Sequence, residues 1–214
     1  MTTSRDQILS RLRAAQPALG TIETVRQHLP VVPLVDPSPE RLFNRFVEQA
    51  RLLASIVHLP TSQVEAIQVI LNLLGDERRV LCWDFAHIPL PGLEEAFAAH
   101  GILVSEGRDA TVRTGITGAD AALAATGSLV LLSGAGKPRL ASLLPAVHIA
   151  VIHQSQILAD LETWIATLRK KGLDAFQGAA SAMIISGPSR TADIAMQLTL
   201  GMHGPRELQI VILS

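Results

Sequence analysis

SLVLLSGAGKPRLASLLPAVHIAVI, residues 128–152, holds two short apolar runs, Ser128 to Ser133 and His148 to Ile152. Between them lie a glycine turn and a stretch, Pro138 to Leu144, that reads as a helix. Neither run alternates apolar with polar residues. Each is therefore expected to be a strand buried on both faces, the pattern of a parallel sheet covered by helices. The same alternation continues in both directions. Upstream, Arg79 to Trp83, Ile102 to Ser105 and Thr111 to Ile116 read as strands, with helices from Leu93 to His100 and from Ala119 to Ala125. Downstream, Gln156 to Lys170 carries a helical apolar stripe that ends in Lys170, Lys171 and Gly172, as a helix C-terminus should. Ala182 to Ser186 reads as a strand, about Arg190 to Leu200 as a helix, and Leu208 to Leu213 as a last strand. The expected class is a three-layer α/β fold on a parallel sheet.

The amino-terminal part reads differently. Ile8, Leu9 and Leu12 form one stripe of a helix too short to stand alone, so it is expected to dock on something. Ala18 to Pro39 is rich in proline and without period, an extended connection. Ser38-Pro39-Glu40 starts a helix whose apolar repeat runs from Leu42 to Val57, and Thr61 or Ser62 with Glu65 starts another that stops at Gly75. The organisation expected is an arm over residues 1–37 and an α/β domain over 38–214.

Composition narrows the function. The chain has 214 residues, the size of one large domain. Its 18 Lys and Arg against 19 Asp and Glu, with no basic run, give no footprint for a phosphate backbone, so nucleic-acid binding is not expected. One Cys cannot make an internal disulfide or supply a thiolate cluster for zinc or iron–sulfur ligation. Mean hydropathy is +0.33, yet every apolar run is broken well before the roughly 20 residues of a membrane span. The first residues, Met1 to Asp6, lack the basic and apolar pattern of a secretory signal, and the expected location is the cytoplasm.

Chemistry concentrates in a few stretches. Ser186-Gly187-Pro188-Ser189-Arg190-Thr191-Ala192-Asp193 follows one expected strand and opens an expected helix. Free amides at that start, the Ser189 and Thr191 hydroxyls and the Arg190 fork would make an anion cradle; an ordinary capped helix start with Asp193 pairing to Arg190 accounts for the same residues. Thr126-Gly127-Ser128 is either a ligand-facing turn or a plain helix-to-strand turn, and Asp120 precedes it. Gly134 to Arg139 is no nucleotide loop, because Pro138 stands where a magnesium-holding hydroxyl is needed; Lys137 and Arg139 would reach an anion or simply face solvent. His203-Gly204-Pro205 offers an acid, base or donor near neutral pH, or a helix end. His148, His153 and His203 do not form a metal pattern, and Cys82 reads as an inert buried thiol.

These motifs carry a resemblance. Gly118-Ala119-Asp120 with Ala124 to Leu131 (AATGSLVL), Leu143 to Ile149 (LLPAVHI), Ile185 to Ile194 (ISGPSRTADI) and Leu200 to Pro205 (LGMHGP) together resemble the LUD-domain family, the C subunit of bacterial lactate-utilisation systems. The resemblance runs from about Val57 to the C-terminus. It implies a fold like the sugar-phosphate isomerase and CoA-transferase superfamily, and a part in oxidising L-lactate to pyruvate alongside partner subunits that carry the iron–sulfur clusters. The family commonly has Glu where this chain has Ala125, so carboxylate chemistry is not expected there. The ligand set expected is Gly187, Ser189, Arg190, Thr191 and Asp193, with Asp120, Thr126, Gly127, His203 and Gly204 at the rim, around a small carboxylate or phosphate. A free-standing transferase or isomerase acting on a CoA ester or sugar phosphate, and a purely structural docking subunit, are the rivals; a homo-oligomer is compatible with each.

Overall fold

A computed structural model of the chain describes residues 3–15, 36–105, 109–172, 174–192 and 198–214. The arm expected over Ala18 to Pro39 lies largely outside these residues, as does Asp193. The elements begin with α1 (Ser4–Ala15), α2 (Pro39–Leu52), β1 (Ile56–His58), α3 (Gln63–Leu74), β2 (Arg79–Cys82), α4 (Leu93–Ala99), β3 (Leu103–Val104) and β4 (Thr114–Thr117). They continue with β5 (Ala121–Leu123), β6 (Ser128–Ser133), β7 (Val147–His153), β8 (Ile157–Leu158), α5 (Leu161–Lys171), α6 (Asp174–Gln177), β9 (Ser181–Ile185), β10 (Arg190–Ala192), β11 (Leu198–Leu200) and β12 (Glu207–Leu213).

The expected parallel sheet is present. Six strands in the order β1-β12-β7-β4-β2-β3 pair in parallel throughout. Its centre is apolar on both faces, with Ile116, Ile149, Val151, Ile152, Ile210 and Val211 wholly buried, which is why these strands read as continuous apolar runs.

A second sheet was not foreseen. Four strands in the order β8-β5-β6-β9 pair mostly antiparallel, so β6 and β7 from the 128–152 stretch belong to different sheets. Leu129 and Leu131 of β6 face the main core, while Val130 and Leu132 face a smaller cluster with Trp164 of α5. Burial on both faces erases polar alternation in either kind of sheet, so the residue pattern of β6 was indistinguishable from that of a parallel strand.

Other expectations are corrected. Ala119 to Ala125 is not a helix: β5 is wedged between β6 and β8 with all three residues buried, and this packing overrides alanine's helix propensity. Pro138 to Leu144 makes only a short 3-10 helix, Arg139–Ser142. It lies so close to the sheet that a Cβ on Gly115 would run into the Ala141 carbonyl oxygen. Arg190–Ala192 and Leu198–Leu200, expected within one helix, are instead the strands β10 and β11, paired antiparallel; the SGPSR segment therefore opens no helix and has no free helix amides to offer. The repeat from Leu42 to Val57 breaks earlier than expected, at Ala54, whose φ of 64° turns the chain into β1. The stripe of α5 likewise begins only at Leu161, capped by Asp160, after the separate strand β8. α1 buries no residue, so its apolar stripe is not docked among the described residues.

Other expected ends are met. Ser62 Oγ accepts the Glu65 amide at 3.2 Å, while the Glu65 carboxylate closes on the Thr61 amide and hydroxyl at 2.7 and 2.6 Å. Gly75 caps α3 at φ 57°.

Candidate functional site

β9 ends at Ile185, and Ser186 to Ser189 leave the second sheet toward the amino ends of β7 and β12. There Ser189 donates its amide to the Pro205 carbonyl at 2.8 Å and accepts the Gly201 amide at 2.9 Å. The two motif loops are laced together by these bonds, and Gly204 sits against the Ser189 side chain. Between them opens a pocket of about 190 Å³ lined by Ser186, Gly187, Pro188, Ser189, His203, Gly204 and Pro205. The central sheet adds His148 and Leu208, and Ser142 and Leu143 come from the 3-10 stretch.

His148 is wholly buried. Its Nε2 lies 2.8 Å from Thr117 Oγ1, and its Nδ1 has no hydrogen-bond partner among the described residues. Burial pushes the imidazole down to about 3, so it is neutral at physiological pH. His203, by contrast, is exposed and Ser189 half-buried, so the pocket passes from a polar mouth to a neutral floor.

The expected ligand residues divide among several places. Ser189, Gly187, His203 and Gly204 come together as described. Gly187 is held at φ 86° with a Cβ position blocked by the Leu53 carbonyl oxygen. Arg190 donates from Nη2 to that same carbonyl at 2.7 Å, where the carboxyl end of α2 favours a cation; it does not line the pocket. Thr191 lies in β10, opposite Thr199, and also stands outside the lining.

Thr126 lines a different pocket, of about 260 Å³, with Ala125, Ser128, Asp160, Glu162 and Ser186 among its walls. Its two acidic residues oppose an anion there. The two pockets share Ile184 and Ser186, and Ser186 Oγ is 2.7 Å from Ser128 Oγ. Gly127 packs on α2, at φ 66° with its Cβ position blocked by the Ala50 amide nitrogen.

Asp120 lines neither of these pockets. It pairs with Lys137 at 2.6 Å and accepts the Leu132 amide at 2.7 Å, and Lys137 also stands 5.2 Å over the Trp83 ring. This cluster lies past the carboxyl ends of β2 and β4, where open parallel sheets commonly hold ligands. Neither Ser142 nor Thr117 stands out in the sequence, and His148 stands there as part of a strand and of a family motif. The available signal was a lone polar residue inside the apolar run HIAVI, since a buried polar side chain requires a partner. Among the described residues no group of His, Cys, Asp and Glu is placed to hold a metal ion.

A family model described as the LUD domain matches residues 43–213. This chain belongs to the LUD domain family. Among relatives, a lactate utilization protein C of Halalkalibacterium halodurans is 43% identical over 99 residues, covering 46% of this chain and 43% of that protein. Another, from Macrococcus caseolyticus, is 33% identical over 56% of this chain and 51% of its own length; the chain thus spans about half or less of these relatives. A lactate utilization protein C of Shouchella clausii is 29% identical over 85% of this chain and 82% of its own length. The crystal structure of a DUF162 family protein from Deinococcus radiodurans superposes with a TM-score of 0.61 at 22% identity, over 85% of this chain and all of the other. That likeness shows the mixed α/β fold.

Proposed function

We propose that this LUD domain is an accessory component of a lactate-utilisation system and holds a small carboxylate or phosphate anion in the pocket of about 190 Å³. The observation that carries the reading is the convergence of two separate motif loops, Ser186 to Ser189 and His203 to Pro205, on one concavity. The names of the relatives supply the lactate context. Among the described residues lining the pocket there is no Lys or Arg, so the anion is held at the mouth by the Ser189 hydroxyl and His203.

Electron chemistry belongs to partners in this reading. Cys82 is the single thiol of the chain, and burial, followed by the charge of Asp84, pushes it up to about 12. One protonated, buried thiol does not fit an iron–sulfur cluster, which needs a set of thiolates. The clusters are accordingly assigned to partner subunits.

The transferase or isomerase rival has one observation in its favour, the Asp120–Lys137 pair past the carboxyl ends of the parallel strands. Affinity purification from native cells under anaerobic conditions separates the readings. Co-purifying iron–sulfur proteins with lactate oxidation are the expected result. A chain that elutes alone and turns over a CoA ester or sugar phosphate would establish the rival.

A further inference from the structure

We infer that α1 docks into an apolar groove on α2 of a second copy of this chain, so that two copies pair by exchanging their amino-terminal helices. The inference is independent of the anion pocket.

The groove, of about 560 Å³, is lined by Phe43, Val47, Glu48, Arg51 and Leu52 of α2 and by Leu59 beyond β1. Phe46 and Ala50 of the same helix are wholly buried, so α2 spends one apolar face on the core and leaves a neighbouring one open. Single exposed apolar residues are ordinary on a surface, whereas apolar side chains gathered round one concavity mark a docking site. Here Leu52 is 70% and Leu59 44% exposed.

α1 is the counterpart. At 12 residues it is marginal as a lone helix in water, and none of its residues is buried. Thr3 and Asp6 cap its start, with the Thr3 hydroxyl donating to the Asp6 carboxylate at 2.6 Å, but a cap does nothing for the stripe. Ile8 and Leu12 stay 59% and 60% exposed. At 1.5 Å of rise per residue, the stripe from Ile8 to Ala15 is about 10 Å long and the α2 face from Phe43 to Leu52 about 14 Å, so the groove takes the stripe in full.

The connection between the two helices decides the occupant. Residues 16–35 lead from α1 toward the start of α2 and span at most about 70 Å when extended. Reach therefore does not keep α1 from its own groove, yet within one chain stripe and groove both stay open. Because the connection ends at the helix that lines the groove, a two-fold axis that sets α2 near α2 brings each connection beside the other copy's groove. Exchange then closes on itself: each copy gives one helix and receives one.

Sedimentation velocity of the full chain over about 1–200 µM, with oxidative cross-linking, tests this. A reversible dimer is expected within that range. Removal of residues 1–15, Leu12→Arg or Leu59→Arg should each weaken it at least about tenfold, while the urea midpoint at about 1 µM, where the chain is single, is unchanged. A Leu12→Cys chain mixed with a Leu52→Cys chain should form a disulfide-linked pair, since the native Cys82 is buried. A dimer that survives the loss of residues 1–15 overturns the exchange, and so does a chain that stays single up to about 200 µM. If a chain carrying both cysteines links only within itself, α1 serves its own groove and the second copy is overturned as the occupant. Should an arginine variant fail to fold, the cysteine pair, which adds no charge, decides.

Discussion

Gly127 and Gly187 look in sequence like ligand-loop glycines, yet each is required by the backbone of α2. Both have positive φ, and a Cβ would strike the Ala50 amide nitrogen in one case and the Leu53 carbonyl oxygen in the other. Gly127→Ala is expected to cost more than about 2 kcal/mol, read as a lowered urea midpoint, because the clash is with backbone that cannot rotate away. Ala54 presents the reverse case, a side chain at φ 64°; Ala54→Gly should raise stability by up to about 1 kcal/mol in the same assay. His148 sets a pH dependence. Folded, its imidazole stays neutral down to about pH 3; unfolded, it takes a proton below its ordinary value near 6.5. The unfolded chain therefore binds more protons between these limits, and stability falls as pH drops from 6.5 toward 3. Asp6, Asp36, Glu65 and Asp109, held low chiefly by hydrogen bonds from Thr3, Ser38, Thr61 and Thr111, act with the same sign below their ordinary values. Between pH 7 and pH 5, urea unfolding should show the unaltered chain losing about 2 kcal/mol more than His148→Leu.

At the scale of elements, the carboxyl end of α2 is where separate parts of the molecule meet. Gly127 from the β5–β6 turn, Gly187 from the loop after β9 and the Arg190 guanidinium all lie on Ala50 to Leu53. Arg190 thus positions the SGPSR loop by tying it to a helix end. Arg190→Met is expected to lower the unfolding free energy by roughly 0.5–1.5 kcal/mol, the worth of a typical hydrogen bond; an anion site at the guanidinium would show a larger loss of phosphate binding than of stability. The helix ends were legible because their signals are local: Ser62, Glu65 and Gly75 act within four residues of the turn they close. The end of α2 was not legible, since Ala54 adopts its left-handed turn without a glycine or proline to announce it. β5 shows the opposite limit, an alanine-rich stretch whose helix preference is outweighed by pairing to β6 and β8. α1 keeps its helix but leaves Ile8 and Leu12 about 60% exposed, so deleting residues 1–15 should shift the unfolding free energy by less than about 0.5 kcal/mol.

For the whole molecule, the pocket of about 190 Å³ lies where the two sheets approach, with its floor from β7 and β12 and its wall from β9 and the loop behind it. A thousandfold excess of ligand over its dissociation constant is expected to stabilise the chain by about 4 kcal/mol, seen as a raised melting temperature with lactate. No helix among the described residues is long and apolar enough to cross a membrane, in keeping with the broken apolar runs. What the residues determined by themselves is what short range can encode: the capped helix α3, the helix α4, the buried strands of the central sheet, and the loops where polar and glycine residues gather. Burial on two faces is visible in a run such as SLVLLS, but the partner strand is not. Its sheet was decided by pairing with Ser181 to Ile185 about 50 residues later. The candidate site followed the same division. Its mouth, Ser189 and His203, was legible as motif. Its floor, His148 beside Thr117, depends on two parallel strands brought into register, a long-range pairing that a local residue pattern does not specify.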